Sequence, residues 1–288
     1  MNYEFVNKLT ESIEYVFVLI GLALLAIEIL KGIFNGSLKS RGVADMLTNL
    51  STQLPFLVVE FGLLASLYVT YFWIEETYIL WSFELNYWTL LIALIVADFL
   101  YYWEHRIAHF VRILWLQHAV HHSSRHMNIT TGIRFGAFEG VWSLIVLFPM
   151  LLAGFPAQTI IFGSLSVLAY QTWLHTELIG SMGAMDKIFN TPANHRVHHG
   201  CDKIYLDKNF GGILIIWDRL FGTYQPEVHT PRYGLDKDFD SVNPFKVWFS
   251  EYPAFFKDLK KSRSFREVWM RFFARPEWQP DRVKSENE

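Results

Sequence analysis

The sequence is almost free of cysteine: Cys201 stands alone among 288 residues. A lone thiol excludes an intramolecular disulfide and any cysteine-rich zinc or iron–sulfur site. No basic tract breaks a balanced charge pattern of net −3, so the electrostatic footprint of a nucleic-acid binder is missing. The N-terminus lacks a basic stretch ahead of a short apolar core ending in small residues, which argues against a cleaved signal peptide. Internal repeats and low-complexity stretches are missing too. Charge is scarce before residue 176, because 33 of the 53 Asp, Glu, Lys and Arg fall within residues 176–288. With 52% hydrophobic and 17% aromatic residues, this asymmetry reads as a lipid-embedded N-terminal part joined to a water-facing C-terminal part.

What is present begins with apolar runs. Tyr15–Ile27 is uninterrupted and extends to Phe34 if Glu28 and Lys31 sit near the interface; Leu54–Ile74 carries only Glu60, and Tyr87–Trp103 only Asp98. Each approaches the roughly 20 residues that cross a bilayer core as a helix. Pro55 is expected in the first turn of the second helix, where proline is tolerated. Val141–Gly154 and Ala157–Leu174 are parted by Gly154-Phe155-Pro156, a strong breaker, and read as a hairpin that enters the membrane and returns. The expected fold class is therefore an all-α, polytopic membrane protein with four membrane-entering helical units, the last a hairpin, capped by a His-rich helical domain. The loop after the first span holds Lys31, Lys39 and Arg41, whereas the loop after the second holds Glu75, Glu76 and Glu84. The positive-inside rule then puts the His-rich part and the C-terminus in the cytoplasm, as in a multi-pass protein of a bacterial inner membrane or its equivalent. Phe245–Phe273 mixes aromatic with basic residues and reads either as one or two amphipathic helices on the membrane surface or as ordinary soluble helix.

Ten of the eleven histidines lie between residues 105 and 199, and their spacing matters more than their number. His105-Arg-Ile-Ala-His109 places two imidazoles at i and i+4. His118-Ala-Val-His121-His122 and His195-Arg-Val-His198-His199 both place three at i, i+3 and i+4. Such residues share a helix face, so each cluster can aim nitrogens at one region. His175 stands alone at the end of the returning hairpin. Imidazole suits iron, zinc or copper rather than magnesium or calcium, and these boxes offer more nitrogens than one ion can use. Two metal ions are the economical explanation. His126 and His229 are expected to lie outside the site. A metal-bound imidazole usually gives its other N–H to a carboxylate or carbonyl; Asp98, inside an apolar span, is the first candidate partner, followed by Glu177, Asp207, Asn209 and Asp218. Glu104 and Asp202 read either as such partners or as solvated.

The three boxes resemble those of the fatty acid hydroxylase and sterol desaturase superfamily. Asp207-Lys-Asn209-Phe-Gly211 and Trp217-Asp218-Arg-Leu-Phe221-Gly222-Thr223-Tyr224 resemble the ending of its conserved region. Within the superfamily, four runs are similar to those of its alkylglycerol monooxygenases. They are Tyr101-Tyr-Trp103-x-His105-Arg106, His121-His-Ser-Ser-x-x-x-Asn128-x-Thr-Thr131-x-x-Arg134, His175-Thr-Glu177 and Asn190-Thr-Pro-x-x-His195-Arg-Val-His-His199-Gly200. The resemblance spans residues 95–227. It implies a membrane-bound, O2-using lipid hydroxylase with two iron ions held by His105, His109, His118, His121, His122, His175, His195, His198 and His199. It also implies Asn128, Thr131 and Arg134 near the substrate pocket. The electron donor it implies is a tetrahydropterin, or a separate redox protein as in sterol and fatty acid members. Some members carry a further histidine where this chain has Gln171. The domains expected are 1–95, transmembrane; 96–227, histidine boxes with the hairpin 141–174; and 228–288, cytoplasmic or interfacial helix.

Other classes compete less well. A sterol or fatty acyl desaturase of the same superfamily would use the same boxes. A haem carrier needs single axial histidines at membrane depth, not adjacent His-His pairs. A zinc hydrolase of lipids needs a few ligands and an open water position, for which nine histidines are excessive.

Overall fold

A computed structural model describes residues 1–281, and among them every regular element is helical, with two isolated β-bridges and no strand. Asn2 caps α1 (Tyr3–Phe34), its side chain accepting from the Phe5 N–H at 2.9 Å. That cap, with Glu4 in the first turn, starts the helix well before its apolar run. α2 (Ser40–Tyr78) likewise begins far ahead of its run, which corrects the expectation for Pro55: the proline lies in the helix interior, where it removes one backbone hydrogen bond. The helix continues through it because the preceding polar turns are held by tertiary contacts. Asn49 donates to Thr130 at 2.8 Å, and Thr52 and Gln53 donate to the Ile133 carbonyl.

With 32 and 39 residues, α1 and α2 are about 48 and 58 Å long at 1.5 Å per residue, well beyond a hydrocarbon core of about 30 Å. By length and composition both can cross a bilayer, and their most apolar stretches are only 11% and 7% buried by protein. Apolar area of that extent, including Val58 and Phe61, is what lipid covers.

α3 (Tyr87–Phe110) starts at Asn86, which accepts from the N–H groups of Trp88 and Thr89 at 2.9 and 3.0 Å. Val111 leaves the helical conformation and α4 (Arg112–His122) follows at once. A 3₁₀ turn, Ile129–Ile133, leads to the hairpin of α5 (Glu139–Leu152) and α6 (Ala157–Gln171). The hairpin breaks at Gly154, whose φ of +88° is open only to glycine without strain, and Trp81 packs where its side chain would be. α6 packs along α3 and α1, and Tyr71, Ala97, Leu147, Leu151 and Ile160 knit α2, α3, α5 and α6 into one core. At one end of the bundle Phe5 meets Tyr87 at 6.0 Å, and the Phe83 N–H donates to the Gly154 carbonyl at 2.8 Å. The end of α3 and all of α4 lie at the other.

The polar remainder folds over that second end as α7 (Pro192–His198) and α8 (Ile216–Leu220). The amphipathic stretch is three helices rather than one or two, α9 (Pro244–Trp248), α10 (Tyr252–Lys260) and α11 (Phe265–Phe273), because Pro253 and the capping Ser264 start new ones. Phe255 packs on Phe272 at 5.1 Å, and Asp258 binds Arg112 at 2.7 Å, docking the pair on α4.

Arg134 bolts α2 to α4 and is fully buried. Its guanidinium donates to Asp45 at 3.1 Å, Asn49 at 2.7 Å, Ser123 at 2.8 Å and the Val120 carbonyl at 3.0 Å. Removing one partner of such a pair strands the other's charge, at about 3–5 kcal/mol. Arg134→Ala is therefore expected to lower the thermal unfolding midpoint of the detergent-solubilised protein sharply. An unchanged midpoint would contradict this role.

Candidate metal centre

Consecutive residues on an α-helix point about 100° apart, so His121 and His122 cannot face the same point, nor can His198 and His199. The fold resolves this by dividing each box. His105, His109, His118, His122 and His198 form one group, and His121, His175, His195 and His199 another; within each, the nitrogens lie within 4.8 Å of one another. The i, i+4 pair of α4 joins the first group and its i+3 residue the second. On α7 the assignment is reversed, with His195 and His199 in the second group and His198 in the first.

The nitrogens converge closely. In the first group Nε2 of His118 lies 3.0 Å from that of His105 and 3.1 Å from that of His122. In the second, Nε2 of His175 lies 2.8 Å from His195 and 3.2 Å from both His121 and His199. Two imidazole nitrogens bound at right angles to one ion, each about 2.1 Å from it, would be about 3.0 Å apart. Nε2 of His109 and of His198 are buried without a hydrogen-bond partner, as expected of ligand atoms aimed at a cation. The donor set fits borderline transition-metal ions, iron among them.

The outer nitrogens are held from five directions. Nδ1 of His118 meets Glu139 at 2.6 Å, and that of His121 meets the Arg134 carbonyl at 3.2 Å. His105 and His198 meet the carbonyls of Phe210 and Lys208, each at 3.0 Å, and His109 lies 3.5 Å from Asp207. Three of these partners come from one loop. Asp207 and Asn209 there have φ of +56° and +57°, a left-handed conformation that Asp and Asn tolerate better than most residues. The carbonyls of the residues that follow them, Lys208 and Phe210, meet His198 and His105.

Three of the polar residues singled out in the sequence, Asp98, Asn209 and Asp218, hold that loop and not a histidine. Asp218 accepts from the N–H groups of Phe210 and Gly211, both at 2.8 Å, and from Thr223 at 2.6 Å. Asp98 accepts from Ile213 and Leu214 N–H at 2.6 and 3.1 Å and from the Trp217 indole at 2.8 Å. Asn209 donates to the carbonyls of Asn194 and Gln225. Glu177 is exposed and touches no histidine of either group, and Asp202 pairs with Arg232 at 2.8 Å. His126 and His229 lie outside both groups. The three residues expected to shape a pocket do other work: Asn128 and Thr131 form a capping box on the 3₁₀ turn, and Arg134 is the α2–α4 bolt.

Three participants have no signature in the spacing. Glu139 is separated from His118 by a long stretch of sequence and opens an apolar helix. Glu28, on α1, accepts from Thr176 at 2.5 Å and Ile129 at 3.0 Å, fixing the segments on both sides of His175. At Gly132 an added Cβ would stand 2.8 Å from Nδ1 of His175, so the ring lies directly on the backbone there.

A cavity of about 460 Å³ runs from His105, His118, His121 and His175 into the bundle between α1, α3, α5 and α6. Its wall is mostly apolar, with Val18, Phe56, Phe135, Trp142 and Leu165 among the lining residues. A hydrocarbon chain fits that lining, and its inner end would lie against both histidine groups.

Residues 90–223 match the family model for fatty acid hydroxylase. Over 245 residues the chain is 35% identical to an alkylglycerol monooxygenase of Homo sapiens, covering 83% of this chain and 54% of that one. For an alkylglycerol monooxygenase of Danio rerio the identity is also 35%, over 273 residues, covering 92% and 59%. It is 27% identical over 189 residues to an ornithine lipid hydroxylase of Rhizobium tropici, covering 65% and 55%. The chain thus spans between half and two thirds of the length of these relatives. No solved structure matches it significantly.

Burial pushes His118 and His175 down to about 3, and burial with neighbouring imidazoles holds the other seven well below the ordinary histidine range. Depressed folded-state values mean that the unfolded chain takes up protons that the folded chain refuses. The histidine contribution to stability is therefore complete above the unfolded value of about 6.5 and is lost as pH falls below it toward 3. The metal-free protein is expected to lose thermal stability steadily from pH 7 to pH 5, read as the unfolding midpoint in detergent. A midpoint that is flat or rises over that window would contradict the neutral cluster.

Proposed function

Because residues 90–223 belong to the fatty acid hydroxylase family, we propose that the chain is a membrane-bound, di-iron, O2-dependent lipid monooxygenase. The observation that carries this reading is the apolar cavity ending on both histidine groups. In the proposal five imidazoles, His105, His109, His118, His122 and His198, hold one iron, and His121, His175, His195 and His199 hold the other. When bound, the two ions supply the redox capacity by which O2 breaks an unactivated C–H bond. Glu139 and the carbonyls of Lys208, Phe210 and Arg134 keep protons on Nδ1, leaving Nε2 for the metals. Phe56, Phe135 and Leu165 exclude water and align a hydrocarbon chain.

The substrate we favour is an ether lipid of the alkylglycerol type, supported by 35% identity to proteins that bear that name. Hydroxylation next to the ether oxygen consumes O2, two electrons and two protons, and yields water and a hemiacetal that collapses to a fatty aldehyde and a glycerol. The electrons come from a tetrahydropterin or a separate redox protein. The same reading places α1, α2, α3 and the α5–α6 hairpin in the membrane, with the histidine end and the C-terminus in the cytoplasm. In its favour, Lys31 in the last turn of α1 and Lys39 and Arg41 just beyond it lie at the histidine end, and Glu75 meets the hairpin at the opposite end through the Ala157 N–H.

Anaerobically purified, iron-loaded protein given O2, tetrahydropterin and a 1-O-alkylglycerol is expected to release fatty aldehyde well above an iron-free control. Replacing any of the nine histidines with Ala should lower bound iron and abolish release, whereas His126→Ala and His229→Ala should keep most of both. Aldehyde at the control level, with a reductase-driven assay giving a hydroxylated or unsaturated acyl or sterol product, would transfer the chain to the desaturase or hydroxylase alternative.

A further inference from the structure

The cavity that ends on the histidine groups is not uniformly apolar. Four polar side chains form two pairs in its wall: Ser143 donates to Oε1 of Glu104 at 2.6 Å, and Tyr101 donates to Gln171 at 2.8 Å. Tyr101, Glu104 and His105, all on α3, line this one cavity, so the carboxyl group and a proposed metal ligand share its wall. Gln171 is itself satisfied, since its amide donates to the Val167 carbonyl at 3.2 Å. Glu104 differs. One of its oxygens takes the Ser143 hydroxyl, and among the described residues no donor reaches the other.

An acceptor oxygen left without a partner in the wall of a mostly apolar cavity is unfavourable. Packing does not explain its presence there, because Leu or Met would fill the same volume without that penalty. Nor does it hold a histidine, a task that falls to Glu139 for His118. A ligand that brings its own donor would complete it.

We infer that Glu104, held by Ser143, accepts a hydrogen bond from a hydroxyl group of the lipid substrate and so selects lipids with a free hydroxyl near the carbon to be oxidised. This rests on the lipid-oxygenase reading of the cavity. The apolar wall takes the chain, and Glu104 Oε2 takes the hydroxyl where the cavity meets His105. A lipid with that hydroxyl capped as a methyl ether has no donor to offer and leaves the acceptor unpaired. Sites built around a hydrogen bond discriminate against analogues that lack it far more than apolar pockets discriminate by size.

The test is equilibrium binding of two lipids to the iron-loaded full chain in detergent, a 1-O-alkylglycerol and its 2,3-di-O-methyl ether, with iron content measured alongside. The wild type should favour the free diol by on the order of 100-fold. Glu104→Leu should bring the two affinities to within about threefold, chiefly by weakening the diol, with iron retained. Ser143→Ala, on a different helix and away from the ligand set, should narrow the preference in the same direction and guards against misfolding of the first variant. Equal affinities in the wild type, or an undiminished preference in both variants, would overturn the inference. Discrimination that follows Glu104 while no aldehyde forms would leave the inference standing and defeat only the ether-cleavage chemistry. If neither lipid binds, both fail.

Discussion

Nine imidazoles gathered at two points can coexist only if each is neutral. Five of them also have Nδ1 held from outside, whereas Nδ1 of His175 and of His195 is buried without a hydrogen-bond partner. Protonating any one would place a charge among imidazole nitrogens within 4.8 Å of it, and burial already holds all nine below the ordinary histidine range. The convergence therefore demands an outer shell that keeps the protons on Nδ1, and much of the polar part of the chain does that work. Glu139 reaches in from the hairpin, and the loop at residues 207–211 supplies two carbonyls and a carboxylate.

That loop shows how a constraint at the centre spreads through the fold. Its left-handed residues are uncommon conformations, and they are held by partners for the backbone donors of Asn209, Phe210, Gly211, Ile213 and Leu214. Asp218 and Asp98 bind four consecutive or near-consecutive N–H groups between Phe210 and Leu214, and Asn209 ties the loop to α7 and to Gln225. Asp98 thereby transmits the position of α3 to the carbonyl that orients His105, two turns along the same helix. On the opposite flank Glu28 and Arg134 do the same for α1 and α2, so that helices with lipid-facing surfaces also fix the metal-site geometry.

The histidine boxes were legible because their periodicity is that of one helix face, which also explains why each box offers two directions and not one. The apolar runs, the hairpin break at Gly154 and the outlying positions of His126 and His229 were legible for equally local reasons. What a single sequence could not reveal was pairing across the fold. Asp98 was marked correctly as a costly buried charge but assigned to a histidine, because nothing local says that its partners lie more than a hundred residues ahead. Glu28 reads from the sequence as an interfacial charge, and Glu139 carries no local signal that ties it to His118. The resemblance places Arg134 near a pocket, yet its whole guanidinium is spent on α2 and α4. Pro55 marked the start of an apolar run and not of a helix, since contacts from the polar turns before it extend α2.

In the proposed reading the two histidine groups are two separate metal sites, with each paired box dividing its histidines between them. Anomalous diffraction at the iron edge, from crystals of the anaerobically purified full chain, tests this most directly. Two peaks are expected, one within His105, His109, His118, His122 and His198 and the other within His121, His175, His195 and His199. A single peak, or two peaks that each draw both adjacent histidines of one box, would contradict it.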